Sequence, residues 1–239
     1  MEFEYERIRY ALACKLVNVR TDMRYLRKAA FEPAFADMAL TACILTRNVR
    51  KEDGYVPVTK AMAEKWGFET DQILDIAKHN MFRILPPKIY SMKDVMLSDQ
   101  EGSVYHKVET MLSKRYPGTD AVSLKKAAMH IASQLCEKYE KHSGMAQMWV
   151  MSNKDWIFGA SGLMNSRALQ TFALKHECSF YILPSSIHEV ILLPEKYVTS
   201  TDKLRDMLAF ANTTAMEKKR FLSDCVYYYD MEKLEIRCL

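Results

Sequence analysis

Residues 4 to about 18 place Tyr5, Ile8, Leu12 and Leu16 at spacings of three and four, with Arg7, Arg9 and Lys15 between them. That spacing predicts an amphipathic helix. A second, shorter helix is expected from Thr21 or Asp22 to about Ala30, ended by Glu32-Pro33, because proline disfavours helix in the residue before it. The apolar run Met38–Leu45 then changes character. Its length and the turn signal over 50–54 predict a buried strand in a hairpin with Tyr55-Val56-Pro57-Val58, and Pro57 puts that second strand at an edge. Helical spacing returns from Thr59 to Trp66 and again after Thr70, where Ile73, Leu74, Ile76 and Ala77 share a face.

Arg83 to Met96 reads as extended around Pro86-Pro87, with a short helix from Ser91. Helices are expected from Val104 to Tyr116 and from Asp120 or Ser123 to Gly144. Beyond them strand and helix alternate. Met148–Met151 and Trp156–Phe158 predict strands, and Ser166 opens a helix to His176. Phe180–Leu183 and Val190–Leu193 form a hairpin around an exposed Pro184-Ser185-Ser186 turn. A helix runs from Thr201 or Asp202 to about Asn212, and Cys225–Tyr229 pairs with Leu234–Arg237. The prediction is α+β, with helices around one or two small antiparallel sheets. It divides into an N-terminal half at 1–97, a helical insert at 98–145 and a C-terminal half at 146–239, a pattern equally compatible with one compact domain. Both halves run strand, turn, strand, helix; a duplicated hairpin-helix unit would produce this, and so would the commonness of the pattern.

Composition changes this picture little. Of 239 residues 49% are hydrophobic and 27% charged, both near globular averages, so long disordered tails are not expected. The apolar run at 38–45 falls well short of the roughly 20 residues a membrane helix needs. The acidic start Met1-Glu2-Phe3-Glu4 is unlike a signal peptide. A cytoplasmic protein without membrane contact is the expectation. The six cysteines lie far apart, with no C-x-x-C pair, and are expected to be reduced. A net charge of +4 permits weak, non-specific nucleic-acid contact without requiring it.

Three blocks carry a resemblance: Tyr181-Ile182-Leu183-Pro184-Ser185-Ser186-Ile187-His188-Glu189-Val190-Ile191-Leu192-Leu193-Pro194, Leu222–Asp230, and Arg83-Ile84-Leu85-Pro86. Together they resemble an uncharacterised bacterial family found mostly in anaerobic gut Firmicutes, often near mobile elements. The resemblance runs over most of the chain from Phe3 and is weakest from about Gln100 to Met145. It implies no activity. Members of that family usually begin with a further N-terminal segment, which implies a shortened member or a fragment.

Several constellations bear on chemistry. Ser185, Ser186, His188 and Glu189 crowd one hairpin, and a histidine beside hydroxyls and a carboxylate could shuttle protons. Turn chemistry explains the same residues more simply, and neighbours on a strand point to opposite faces. Gly159 and Gly162 could cradle an anion, but no P-loop Lys-Ser/Thr follows, and close packing is the simpler account. The histidines and cysteines show no metal-ligand spacing, so neither metal nor cofactor is expected. Arg20, Arg24, Arg27 and Lys28 fall on one helix face that could meet a partner or phosphates, as could Lys218, Lys219 and Arg220; a solvated helix face is the usual explanation for such charges. Tyr227-Tyr228-Tyr229, and Trp149 with Trp156, could stack bases, whereas sheet packing needs Tyr227 and Tyr229 on one face. The preferred reading is a non-catalytic binding or regulatory protein with a protein partner. The alternative is a small hydrolase-like enzyme using the His188 hairpin.

Overall fold

In the computed structural model, which describes residues 4–46, 54–143, 147–214 and 221–239, only the start of the stretch from residue 4 to residue 18 is helical. Helix α1 (Tyr5–Ile8) and a 3-10 turn (Arg9–Ala11) give way to strand β1 (Leu12–Asn18). The helix expected to residue 18 is thus corrected. Leu12-Ala13-Cys14-Lys15-Leu16-Val17-Asn18 is buried on both strand faces, and pairing with a second apolar strand outweighs the helical spacing of Leu12 and Leu16. After α2 (Met23–Leu26) and β2 (Phe31–Phe35) comes that partner, β3 (Met38–Leu45), followed by β4 (Tyr55–Pro57). β1 pairs antiparallel along β3 from Leu12↔Ile44 to Asn18↔Met38. The other edge of β3 is shared by β2, opposite Met38–Thr41, and β4, opposite Cys43–Leu45. Pro57 lies on that outer strand, as its missing N–H requires. Most of the turn expected over 50–54 lies outside the described residues, as do Gly144 and Lys218–Arg220.

Helix α3 (Lys60–Lys65) starts at Thr59, whose hydroxyl accepts from Met62 N, and ends before Gly67, which takes the left-handed φ of +80°. Helix α4 (Thr70–Ile84) opens with a capping box between Glu69 and Gln72, one residue before the expected cap. It extends past Arg83, which was expected to be extended. Its buried Ile73, Leu74, Ala77 and Met81 pack on β1, β2 and β3 and cover the face of that sheet to which Cys14 belongs. Strand β5 (Lys88–Ser91) follows.

The chain divides into two compact units: Met1–Ile89 with Met151–Leu239, and Tyr90–Val150. The second contains α5 (Met92–Met96), α6 (Val104–Arg115) and α7 (Ala121–Ser143). Ser91 and Ser103 cap α5 and α6 through their hydroxyls. Tyr105 and Val108 of α6 meet Ala128 and Ala132 of α7, flanked by Leu97, Leu112 and Ile131. Two alanines four apart let the helices approach closely.

Strand β6 (Trp149–Ser152), whose last two residues belong to the first unit, leads to a bend instead of the second strand expected at Trp156–Phe158. Trp156 and Phe158 adopt left-handed φ values of 55° and 51°, and Phe158 opens a 3-10 helix at Gly159–Met164. Helix α8 (Ser166–His176) is capped by Asn165, and β7 (Phe180–Ser186) with β8 (Glu189–Pro194) makes the hairpin. The turn is Ile187-His188. Pro184 and Ser185 are buried within β7, so the exposed turn expected at 184–186 is displaced by two residues. A register shift between Leu183 and Ser186 accommodates the proline. Helix α9 (Thr201–Thr214) packs on β7, and β9 (Tyr227–Asp230) with β10 (Glu235–Cys238) ends the chain. The second sheet has the order β10-β9-β7-β8-β6-β5. The architecture is α+β with two small sheets.

Candidate functional site

The cationic segment begins where β1 ends. Asn18 Oδ1 accepts from Arg20 N at 2.9 Å and Thr21 N at 3.1 Å, so this one side chain caps the following turn. Hydrogen bonds from Asp22 N to Asn18 O, Leu26 N to Asp22 O and Arg27 N to Met23 O continue the winding, although only Met23–Leu26 is regular helix. An ideal helix would set Arg20, Arg24, Arg27 and Lys28 within an arc of about 100°; here Arg24 lies in the regular turn of helix and the other three flank it in turns. All four are exposed, while Leu26 is buried on the opposite side. Among the described residues none of the four forms an ion pair. Exposed Met23 lies beside them.

Asn18 is itself held by a buried polar node. Its amide donates to Asp37 Oδ2 at 3.0 Å and to Leu222 O at 2.9 Å. Asp37 sits between β2 and β3, is only 6% exposed, and also accepts from Ser223 Oγ at 2.8 Å and from the Tyr227 hydroxyl in a short bond. Ser223 Oγ accepts in turn from Cys225 N, and Asn212 reaches Ser223 O at 3.0 Å. Burial, then the hydrogen bond and charge of Asp37, push the Tyr227 phenol well above its ordinary range. It therefore stays a donor throughout the physiological range. Sequence reading missed the node because its members are as many as 204 positions apart.

Asp37, Asp224 and Cys225 bring three ligand-type atoms within 4.8 Å. The Asp37 oxygens are already committed to three side-chain donors, and a cation would have to displace Asn18, Ser223 or Tyr227. The donor set therefore suits a structural carboxylate better than a metal ligand.

At the hairpin, Ser185 Oγ donates to Glu189 O at 3.2 Å and Ser186 Oγ accepts from His188 N at 3.1 Å. Neither hydroxyl is bonded to the His188 ring. Nδ1 of that ring accepts from Phe158 N at 3.2 Å, and the ring stacks on Phe158 at 5.9 Å. Ser152 Oγ donates to His188 O at 2.8 Å. These bonds hold Phe158 in its left-handed conformation, which costs a non-glycine residue about 1 kcal/mol or more.

Lys15 was read as the polar side of a helix, and the structure buries it to 6% exposure. Its ammonium donates to the Tyr55 hydroxyl at 2.9 Å and lies 4.2, 4.9 and 5.8 Å from the ring centres of Tyr55, Tyr25 and Phe158. Such contacts offset part of the desolvation of a cation. Burial raises the neighbouring Cys43 thiol to about 12 although Lys15 pulls it down, so Cys43 stays protonated and unreactive. The tyrosine triplet divides as sheet packing demands. Tyr227 and Tyr229 are buried, the latter stacked on Phe180, and Tyr228 bonds Glu195 Oε2. Gly159 and Gly162 serve close packing, since a β-carbon on either would press on neighbouring atoms.

The family model DUF5688, described as a family of unknown function, matches residues 1–231. No curated protein and no solved structure matches the chain.

Proposed function

The chain belongs to DUF5688, a family of unknown function, and from its own geometry we propose a non-catalytic binding protein that docks an acidic protein partner through Arg20, Arg24, Arg27 and Lys28. The observation that carries this reading is the exposure of four cations on one winding, without ion pairs among the described residues, over a buried polar anchor. A face used only for solvation has no need of that anchor. Arginine beside exposed methionine is also the composition of protein interfaces. Four charges contact few phosphates, so binding to nucleic acid along the same face should be weak, non-specific and lost as salt is added. The alternative, a hydrolase-like enzyme at His188, has less support, because the Ser185 and Ser186 hydroxyls are spent on main-chain groups.

Fluorescence anisotropy with a labelled polyglutamate peptide and with DNA single strands and duplexes tests this. The Arg20→Glu/Arg24→Glu variant should keep its circular dichroism spectrum and lose at least about tenfold in peptide affinity at low salt. Unchanged peptide affinity would overturn the assignment of this face. Tight, salt-resistant binding to a DNA sequence would replace the protein partner with a nucleic acid.

A further inference from the structure

The two cysteines nearest the C-terminus lie on neighbouring segments. Cys14, Cys43 and Cys136 are buried, Cys178 and Cys225 are half-buried, and Cys238 is exposed. Cys238 ends β10 opposite Tyr227 of β9, and Leu239 N donates to Val226 O at 3.0 Å, so the hairpin ladder continues one residue beyond the strands. Residues two apart along an extended chain point the same way. Cys225 therefore shares a face with Tyr227, and so does Cys238, its cross-strand partner. The Cys238 side chain is among the groups that raise the Cys225 thiol, which places the two side chains near each other. The sequence spacing of 13 had argued for separate reduced thiols, because it carries no information on cross-strand register.

We propose that Cys225 and Cys238 form a reversible thiol pair that closes to a disulfide under mild oxidation by a peroxide. Exposed Cys238 meets the oxidant first. Its thiolate attacks one oxygen of hydrogen peroxide, the O–O bond breaks, and a sulfenic acid and hydroxide result. The Cys225 thiolate then attacks the Cys238 sulfur, the S–O bond breaks, and hydroxide leaves as the S–S bond forms. Overall two thiols lose two electrons and two protons, and peroxide becomes two waters. Burial, then the Cys238 contact and the Asp37 charge, raise Cys225 to about 11. Asp37 of the β2–β3 turn, Asp224 of its own loop and Cys238 of β10 are the titratable groups facing it, and Asp224 Oδ1 lies 3.9 Å from its sulfur. The resolving thiolate is therefore scarce at neutral pH, and closure accelerates as pH rises. The bond would tie the segment that carries Ser223 to the last strand.

The test treats the full chain with stoichiometric hydrogen peroxide, alkylates remaining thiols under denaturing conditions and maps the digest by mass spectrometry. The expected product is a Cys225–Cys238 cross-linked peptide, lighter by two hydrogens and restored by dithiothreitol, with Cys178 still alkylated. The rate of closure should rise several-fold for each pH unit between 7 and 9. The Cys225→Ser variant should instead accumulate the Cys238 sulfenic acid, detected with dimedone. Wild-type protein that accumulates the same dimedone adduct without the cross-link would overturn the proposal. So would closure at a pH-independent rate, or preferential oxidation of Cys178.

Discussion

Replacing Asp37 by alanine is expected to lower the free energy of unfolding by about 3–5 kcal/mol, as is usual when one partner is removed from a buried charged network. The substitution deletes a few atoms but leaves the Asn18 amide, the Ser223 hydroxyl and the Tyr227 hydroxyl facing an apolar gap. Urea titration at constant slope measures the loss. A loss below about 1.5 kcal/mol would mean that water reaches the node and replaces the carboxylate. Adding Tyr227→Phe removes one of the orphaned donors, so the double variant should cost at least about 1 kcal/mol less than the sum of the singles. The local consequence matters as much. Asn18 would lose one of the two bonds that fix its amide, and the cap on Arg20 N and Thr21 N would loosen. Asp37→Ala should therefore weaken polyglutamate binding although the substituted residue touches no partner.

The exposure of Arg20, Arg24 and Lys28 was legible, because charges spaced between the apolar residues of a short segment are expected to face solvent. β3 was legible for a different reason: a run of eight residues, apolar but for Thr41, is too short for a lone buried helix and long enough for a central strand. β1 was not. Leu12 and Leu16 satisfy the helical period, and Cys14 between them satisfies the strand period. Only β3, more than 20 positions away, decides between the two. With the wrong period, Lys15 falls on a solvent face and its aromatic surroundings disappear from view. At the second hairpin the signal was real but shifted, since Pro184 was taken to mark the turn when it marks a register irregularity in β7. The Asp37 node had no local signal at all, because Asp37 and Ser223 are polar residues at loop positions, 186 apart.

Gly159→Ala should be among the most damaging single-methyl additions in the chain. An alanine β-carbon at this position would lie 2.5 Å from Ser152 Cα, and closer still to the Ser152 hydroxyl and the His188 carbonyl oxygen. Two of these three atoms are main chain, so no side-chain rotation relieves the clash. The Ser152–His188 hydrogen bond at 2.8 Å and the Phe158–His188 bond at 3.2 Å fix β6, the bend and the hairpin against one another. Relief must break at least one of them, and the backbone conformation of Gly159 is not the obstacle, since its φ is not in the left-handed region. Overpacking of this kind costs about 3 kcal/mol or more when backbone has to move. Gly162→Ala supplies the graded comparison. There the new carbon would meet Met151 Sδ at 2.9 Å and Pro87 Cβ at 3.1 Å, and the thioether can swing away. Its cost should be about 1–2 kcal/mol. Urea unfolding of both variants, with hydrogen exchange at Phe158 as the local probe, separates the two mechanisms. If Gly162→Ala were the more damaging, the close approach of His188 to Gly159 would not be what fixes the hairpin.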